Sequence, residues 1–269
     1  MINMNEQHTF VICAYKESPY LEKCIHSLLK QSIKTRIIMV TSTPNDFVQN
    51  MAEKYQISLY INEGEGGITQ DWNFGYSKAD TSYITIAHQD DVYHEKYAEH
   101  VLGALVKAKH PLIAFTDYYE VRNDKIVKKT KMLNIKRLML FSLRLKFFHK
   151  SRFVRRRILS LGCPICCPSV TFAANNITPP VFVPGYRSCE DWQAWEKLSR
   201  KKGEFVFVNS SLMMHRIHED SETSAIIDDN ARSLEDYEMF CKFWPKWFAK
   251  IIVRFYSVSQ KSNNLEKGL

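Results

Sequence analysis

The 269-residue chain is poor in the residues that make linkers, with 9 Gly and 9 Pro. That excludes long disordered connectors and leaves room for one large core. It has no apolar run approaching the ~20 residues of a membrane span. The seven cysteines are odd in number and scattered, which excludes a disulfide framework and favours reduced thiols. Cys163-Pro-Ile-Cys166 has the spacing of half a zinc site, but no second ligand pair accompanies it, so zinc is not expected. The polar start Met1–Gln7 lacks the basic and apolar regions of a secretory signal, and a cytoplasmic location is expected. Acidic residues are missing altogether from Lys125 to Arg187, where 14 Lys and Arg occur. The remainder holds 23 basic against 29 acidic residues, so this one segment carries all of the net charge of +8. Such a block implies an anionic partner, whether a phosphorylated substrate or acidic lipid headgroups. It lacks the pattern of a known nucleic-acid module, and nucleic acid is not expected.

What is present alternates between two periods. Thr9–Ala14 is a continuous apolar run, as in a strand buried on both faces. Ser18-Pro19 reads as an N-cap and first helical residue, with Leu21, Cys24, Ile25, Leu28 and Leu29 on one face. Strands follow at 36–40, 57–61, 83–87 and 112–115, with helices at 67–79 and about 94–109. This spacing predicts βαβ units and a mainly parallel sheet. After Asp117 the rhythm breaks. A hairpin turning at Asn123-Asp124 is expected, then a basic, apolar helical stretch over 135–159, a strand at 169–173, a helix over 190–201, short strands at 205–208 and 212–215, and a helical tail. The division expected is a nucleotide half at 1–117, an acceptor half at 118–225 and a tail at 226–269.

Ligands of open α/β sheets bind beyond the carboxyl ends of the strands. There the sequence places Ala14-Tyr15-Lys16-Glu17, Thr41-Ser42-Thr43 and His88-Gln89-Asp90-Asp91. Asp90-Asp91 is the sharpest cluster. Two adjacent carboxylates suit a hard cation, Mg²⁺ or Mn²⁺, that neutralises a leaving diphosphate; a helix N-cap or plain solvent exposure are the other readings. Trp192 and Trp195, three apart, point to core packing more than to sugar stacking.

TFVICAYKESPYLEKCIHSLLKQS, GGITQDWNFGYSKADTSYITIAHQDDVY and CEDWQAWEKLSRKKGEFVFVNSSLMMHRIHEDSET, in this order over about residues 8–224, resemble the motifs of family 2 glycosyltransferases. The resemblance implies an α/β fold of the GT-A type, Rossmann-like, with a smaller mixed acceptor side and a helical tail. It implies metal-dependent, inverting transfer from a nucleotide-diphospho-sugar, UDP- or dTDP-linked, to a hydroxyl of a saccharide or lipid-linked acceptor, as in cell-envelope polysaccharide or glycolipid synthesis. It further implies that Ala14, Tyr15, Glu17, Ser42, Gly67, Asn73, Asp90 and Arg216 bind the donor. Asp91, Asp90 and His218 hold the metal, and Asp191 is the base. Two departures stand out. Thr41-Ser42 occupy the place of an aspartate that holds the nucleotide base, and His88 stands where the metal motif begins with Asp. Two other classes remain. A sugar nucleotidyltransferase would show a Gly-rich loop after strand one, which Cys13–Lys16 lacks. A non-catalytic protein would use the basic segment on lipid or nucleic acid. Residues 135–159, mixing Leu, Phe and Ile with Lys and Arg, suit peripheral attachment to the inner face of the cell membrane, or a groove for a phosphorylated acceptor.

Overall fold

The computed structural model describes residues 7–218 and 230–265. The chain's first six residues, the 225/226 boundary and the end of the third motif, past His218, lie outside the described residues. Nine strands form one sheet: β1 (His8–Cys13), β2 (Arg36–Thr41), β3 (Ser58–Ile61), β4 (Tyr83–His88), β5 (Val92–Tyr93), β6 (Pro111–Arg122), β7 (Lys125–Val127), β8 (Val170–Ala173) and β9 (Glu204–Ile217). Their spatial order is β3-β2-β1-β4-β8-β6-β9-β5, with β7 paired to β6. β1 pairs in parallel with β2 and β4, and β2 with β3. β8 is antiparallel to both of its neighbours, β4 and β6, so β6 regains the direction of β4, and β9 runs parallel to β6. The sheet is therefore mostly parallel, as expected, with β5, β7 and β8 reversed.

β1 shows why its sequence is apolar without alternation. Val11 joins one buried cluster, with Trp72, Trp192 and Trp195, while Phe10 and Ile12 join the other, with Leu21, Leu28 and Val101. Both faces of the sheet are thus covered. On one face lie α1 (Leu21–Leu29), α2 (Asp46–Lys54) and α4 (Tyr97–Leu105); on the other lie α3 (Ile68–Lys78) and α7 (Glu190–Ser199). α3 presses hard on the strands. A Cβ built on Gly75 would stand 2.5 Å from Val11 Cγ1. A buried polar line crosses the sheet: His8 Nε2 lies 2.8 Å from Thr85 Oγ1, and Thr85 lies 2.6 Å from Thr171.

Several local expectations need correcting. α1 begins at Leu21, not at Pro19; the Ser18 hydroxyl instead accepts the Tyr20 N–H at 3.3 Å in the preceding turn. The two short strands are one strand, β9, paired along the whole of β6 through register shifts at Thr116 to Tyr118. The hairpin turns at Asn123 and Asp124, both at positive φ (48° and 56°), but its first strand continues β6 unbroken through residue 117. The basic stretch is not one helix. It divides into α5 (Lys131–Met139), two single 3₁₀ turns at 141–144 and 146–150, and α6 (Arg152–Leu159). Some of its cations serve the fold. Arg155 donates to the carbonyls of Ser199, Lys201 and Gly203, satisfying the C-terminal end of α7, and Arg156 pairs with Glu196 at 2.7 Å. α8 (Asn230–Cys241) and α9 (Lys246–Leu265) close the chain's described part.

Candidate functional site

The carboxyl ends of β1, β2 and β4 open into a cavity of about 700 Å³, closed on its far side by 163–168, 187–192 and residues of α8 and α9. Ala14, Tyr15, Ser42, Gly67, Asp90, Asp191 and His218 all line it. The other four expected residues do not. Glu17 is exposed on the loop after β1. Asn73 clasps the backbone of Phe182, donating to its carbonyl at 2.7 Å and accepting its N–H at 3.1 Å. Asp91 and Arg216 are buried behind the cavity wall.

The adjacent aspartates are divided by their surroundings. Asp91 is 0% exposed. It accepts the Arg216 backbone N–H at 2.8 Å and faces His215 Nδ1 at 3.0 Å. α4 starts six residues later with Lys96 as its N-cap, so Asp91 caps no helix, and its burial excludes simple exposure. Asp90 keeps its side chain at the cavity, 3.0 Å from His218 Nε2, while the Arg216 guanidinium donates to the Asp90 carbonyl at 3.2 Å, pairs with Asp124 and stacks on Tyr20. Burial would raise the Asp90 carboxyl, but the His218 bond and the neighbouring histidines hold it below its ordinary value. Burial strips His215 of solvent, yet the adjacent Asp91 carboxylate holds its pKa above the ordinary value, which favours the charged imidazolium.

His88 completes the group. One donor atom each of His88, Asp90 and Asp91 lies within 4.8 Å of the others. The imidazole stacks on Trp72, with centroids 5.2 Å apart, and its buried Nε2 has no hydrogen-bond partner among the described residues. Burial lowers its pKa and so keeps the ring neutral. A neutral, orphaned imidazole beside carboxylates fits a divalent cation of the Mn²⁺ or Mg²⁺ kind.

Asp191 stands at the start of α7, in the cavity wall shared with Cys163 and Lys136. Its Oδ1 accepts the Trp192 N–H at 2.6 Å, and Oδ2 lies 3.6 Å from Cys163 Sγ. Burial raises its pKa above the ordinary carboxylate value. Glu190 also reaches the cavity.

The sequence reading missed Asp71. This α3 residue lines the cavity beside Ser42, whose hydroxyl donates to it at 2.6 Å, and Asn62 donates to its other oxygen at 2.8 Å. A carboxylate from α3 thus stands next to the strand-two end that lacks its own. The signal was an acidic side chain on the inner stripe of a helix, next to Trp72. Gly67 caps α3 at φ +146°, a conformation open to glycine, and brings the backbone to the cavity edge. Gln89 fixes the Tyr15 loop: its side-chain amide accepts the Tyr15 N–H and donates to the Tyr15 carbonyl, each at 3.0 Å. Lys136 is the one cation of the basic segment's first helix at the cavity, with Nζ donating to the Tyr118 hydroxyl at 2.9 Å.

Comparison with known proteins identifies the family and the fold. The model of glycosyl transferase family 2 matches residues 9–174. The glycosyltransferase GlyG of Streptococcus pneumoniae is 29% identical over 122 residues, covering 43% of this chain and 40% of that protein. The chain thus matches two fifths of this relative's length. Among solved structures, S. aureus TarS in complex with UDP-GlcNAc superposes with a TM-score of 0.61 at 13% identity, covering 92% of this chain and 70% of that one. The mannosyltransferase PcManGT from Pyrobaculum calidifontis, in complex with GDP-Man and Mn²⁺, gives a TM-score of 0.61 at 13% identity, covering 94% and 69%. The fold is the GT-A fold of these glycosyltransferases.

Proposed function

The chain belongs to glycosyl transferase family 2, and on that premise we propose that it transfers a sugar from a nucleotide-diphospho-sugar to an acceptor hydroxyl with inversion at the anomeric carbon. The observation that carries this reading is the pairing of opposed chemistries in one cavity. His88, Asp90 and His218 stand at the ends of β4 and β9, and a buried carboxylate of raised pKa, Asp191, stands in the wall that the later helices supply. His88 and Asp90 come from the nucleotide half, and the acceptor half brings His218 and Asp191.

The donor's nucleoside fits the mouth made by Ala14, the half-exposed Tyr15 ring and the Ser42–Asp71 pair. Asp71 takes over base recognition from the aspartate missing after strand two, acting directly or by orienting the Ser42 hydroxyl. His88 and Asp90 hold the cation, with His218 orienting the Asp90 carboxylate. Asp91 acts from behind, holding the His215–Arg216 backbone against β5. When bound, a divalent cation neutralises the diphosphate as it departs, so no protein acid is required. Asp191 accepts the proton of the attacking hydroxyl. Its Oδ1 is engaged by the Trp192 N–H at 2.6 Å, and Oδ2 meets only the weak Cys163 thiol donor at 3.6 Å, so Oδ2 is the oxygen that takes the proton. Saccharide or lipid-linked hydroxyls of the cell envelope are the acceptor class, reached at a membrane face.

The test is Asp191→Asn, which keeps shape and removes basicity. Turnover should fall roughly 10²-fold or more, with Mn²⁺-dependent nucleotide binding unchanged by calorimetry. Near-normal turnover, or a product whose anomeric configuration by NMR matches the donor's, defeats the reading.

A further inference from the structure

The basic segment presents apolar side chains outward. Leu138, Phe141, Leu145, Phe147 and Phe153 are 61–74% exposed, and they fall on consecutive short elements, from α5 through the two 3₁₀ turns to α6. Single exposed apolar residues are ordinary, but five large ones within 16 residues are not. Cations frame them. Arg144 lies over Phe141 at 5.4 Å, Lys150 over Phe147 at 5.3 Å and Arg157 over Phe153 at 5.5 Å. Arg157 also lies 4.9 Å over Trp244, whose indole N–H donates to the Ser160 carbonyl at 2.7 Å. That joins α6 to the start of α9, where Trp247 is again exposed. No carboxylate occurs in 125–157 or in 246–256.

We propose that this face, from α5 to the start of α9, docks on an anionic lipid bilayer, with the Phe and Leu side chains in the interface and the framing Lys and Arg on lipid phosphates. Charge selects the occupant. A second copy of the same face would bring cation against cation, whereas an anionic bilayer neutralises the cations and covers the rings. The Arg144, Lys150 and Arg157 heads already lie over the rings, so they meet the phosphates as the rings enter. The face also borders the cavity in the chain: Lys136, in the cavity wall, precedes Leu138 by two residues, and the exposed Leu161 precedes Cys163 of the wall by two. Docking there would present the acceptor side of the cavity to a lipid-linked hydroxyl. In that consequence, though not in the docking itself, the inference rests on the transferase reading.

The test is flotation of the full chain with vesicles of phosphatidylcholine alone, or mixed with phosphatidylglycerol, at low salt. Binding to the mixed vesicles only is expected. Phe147→Ser with Phe153→Ser should weaken it roughly tenfold or more, from the lost burial of two rings. Lys146→Gln, Lys150→Gln and Arg152→Gln together should weaken it roughly a hundredfold. Both variants should keep the wild-type thermal stabilisation by UDP and Mn²⁺. Loss of that stabilisation from the wild type itself would count against the transferase reading and leave the flotation result to stand alone. Equal binding to both vesicle types, or variants that float like the wild type, overturns the docking face. So does a wild-type dimer in sedimentation velocity that the two serine substitutions convert to monomer.

Discussion

Replacing each of the two adjacent aspartates by alanine should give opposite phenotypes. Asp91 has no exposed surface, accepts the N–H of buried Arg216 at 2.8 Å and pairs with His215 at 3.0 Å. Asp91→Ala leaves that N–H without its acceptor inside the protein, which costs about 1–3 kcal/mol. It also strands the His215 imidazolium, and breaking a buried ion pair costs about 3–5 kcal/mol. The two overlap, because the deprotonating imidazole relieves part of the charge, so the net loss should be about 3–5 kcal/mol. For a domain of this size each kcal/mol moves the melting temperature by ~2 °C or somewhat more, which gives a fall of roughly 6–15 °C. Asp90 is different, since its side chain is 17% exposed at the cavity and, among the described residues, its one side-chain hydrogen-bond partner is His218 at 3.0 Å. Asp90→Ala should cost about 1 kcal/mol, a shift of ~2–3 °C, yet abolish the extra stabilisation that UDP with Mn²⁺ provides. Differential scanning fluorimetry, with and without UDP and Mn²⁺, reads both quantities. An Asp91→Ala protein that melts with the wild type and has lost metal-dependent stabilisation, beside an Asp90→Ala protein that keeps it, would refute the assignment.

Other outcomes follow from the same geometry. A base must be deprotonated, and burial raises the Asp191 pKa, so kcat/KM should rise with pH through a midpoint above the ordinary carboxylate value of 3.8; a pH–rate profile whose acid limb lies at or below that value would contradict it. Asp71→Asn should weaken nucleotide binding by roughly tenfold, the loss of one charge-assisted hydrogen bond, without changing the acid limb, as calorimetry and a pH profile would show. His8 is buried, which lowers its pKa from 6.5 to about 3. The native state then binds fewer protons than the unfolded state between those values. Stability is fully present above pH 6.5 and should decline as pH falls through the window, by about 1.4 kcal/mol per pH unit at most. Urea unfolding of wild type and His8→Gln at pH 7 and pH 5 checks this, since the variant should lose that part of the pH dependence.

Parts of the molecule were legible because the cause lay in neighbouring residues. Burial of both sheet faces makes β1, β2 and β4 continuous apolar runs, and the Leu21–Leu29 stripe marks α1 without reference to anything distant. The turn at Asn123-Asp124 announces itself because these residues tolerate positive φ. The pairing of β6 with β9 was not legible. Asn209 and Ser210 look like a break, and what carries the strand across them is a partner some ninety residues away that shifts register at the same level. Ser18-Pro19 has the chemistry of a helix start, yet the hydroxyl caps a turn two residues early, a choice made by how the chain leaves β1.

The site divides the same way. By itself the sequence determined that polar clusters end the parallel strands, that a carboxylate opens the later helix, and that one segment holds the excess positive charge, since each is a matter of residue type and spacing. Only the tertiary structure decided which of Asp90 and Asp91 meets the cavity, because consecutive side chains point apart and the buried one is named by the arrival of His215 and Arg216 on β9. It decided that the Asp71 carboxylate meets Ser42 at the end of β2, because α3 lies across that end. It decided that Arg155 and Arg156 serve the end of α7 while Phe147 and Phe153 face outward, because a run of charges becomes a surface only after packing has taken the members it needs.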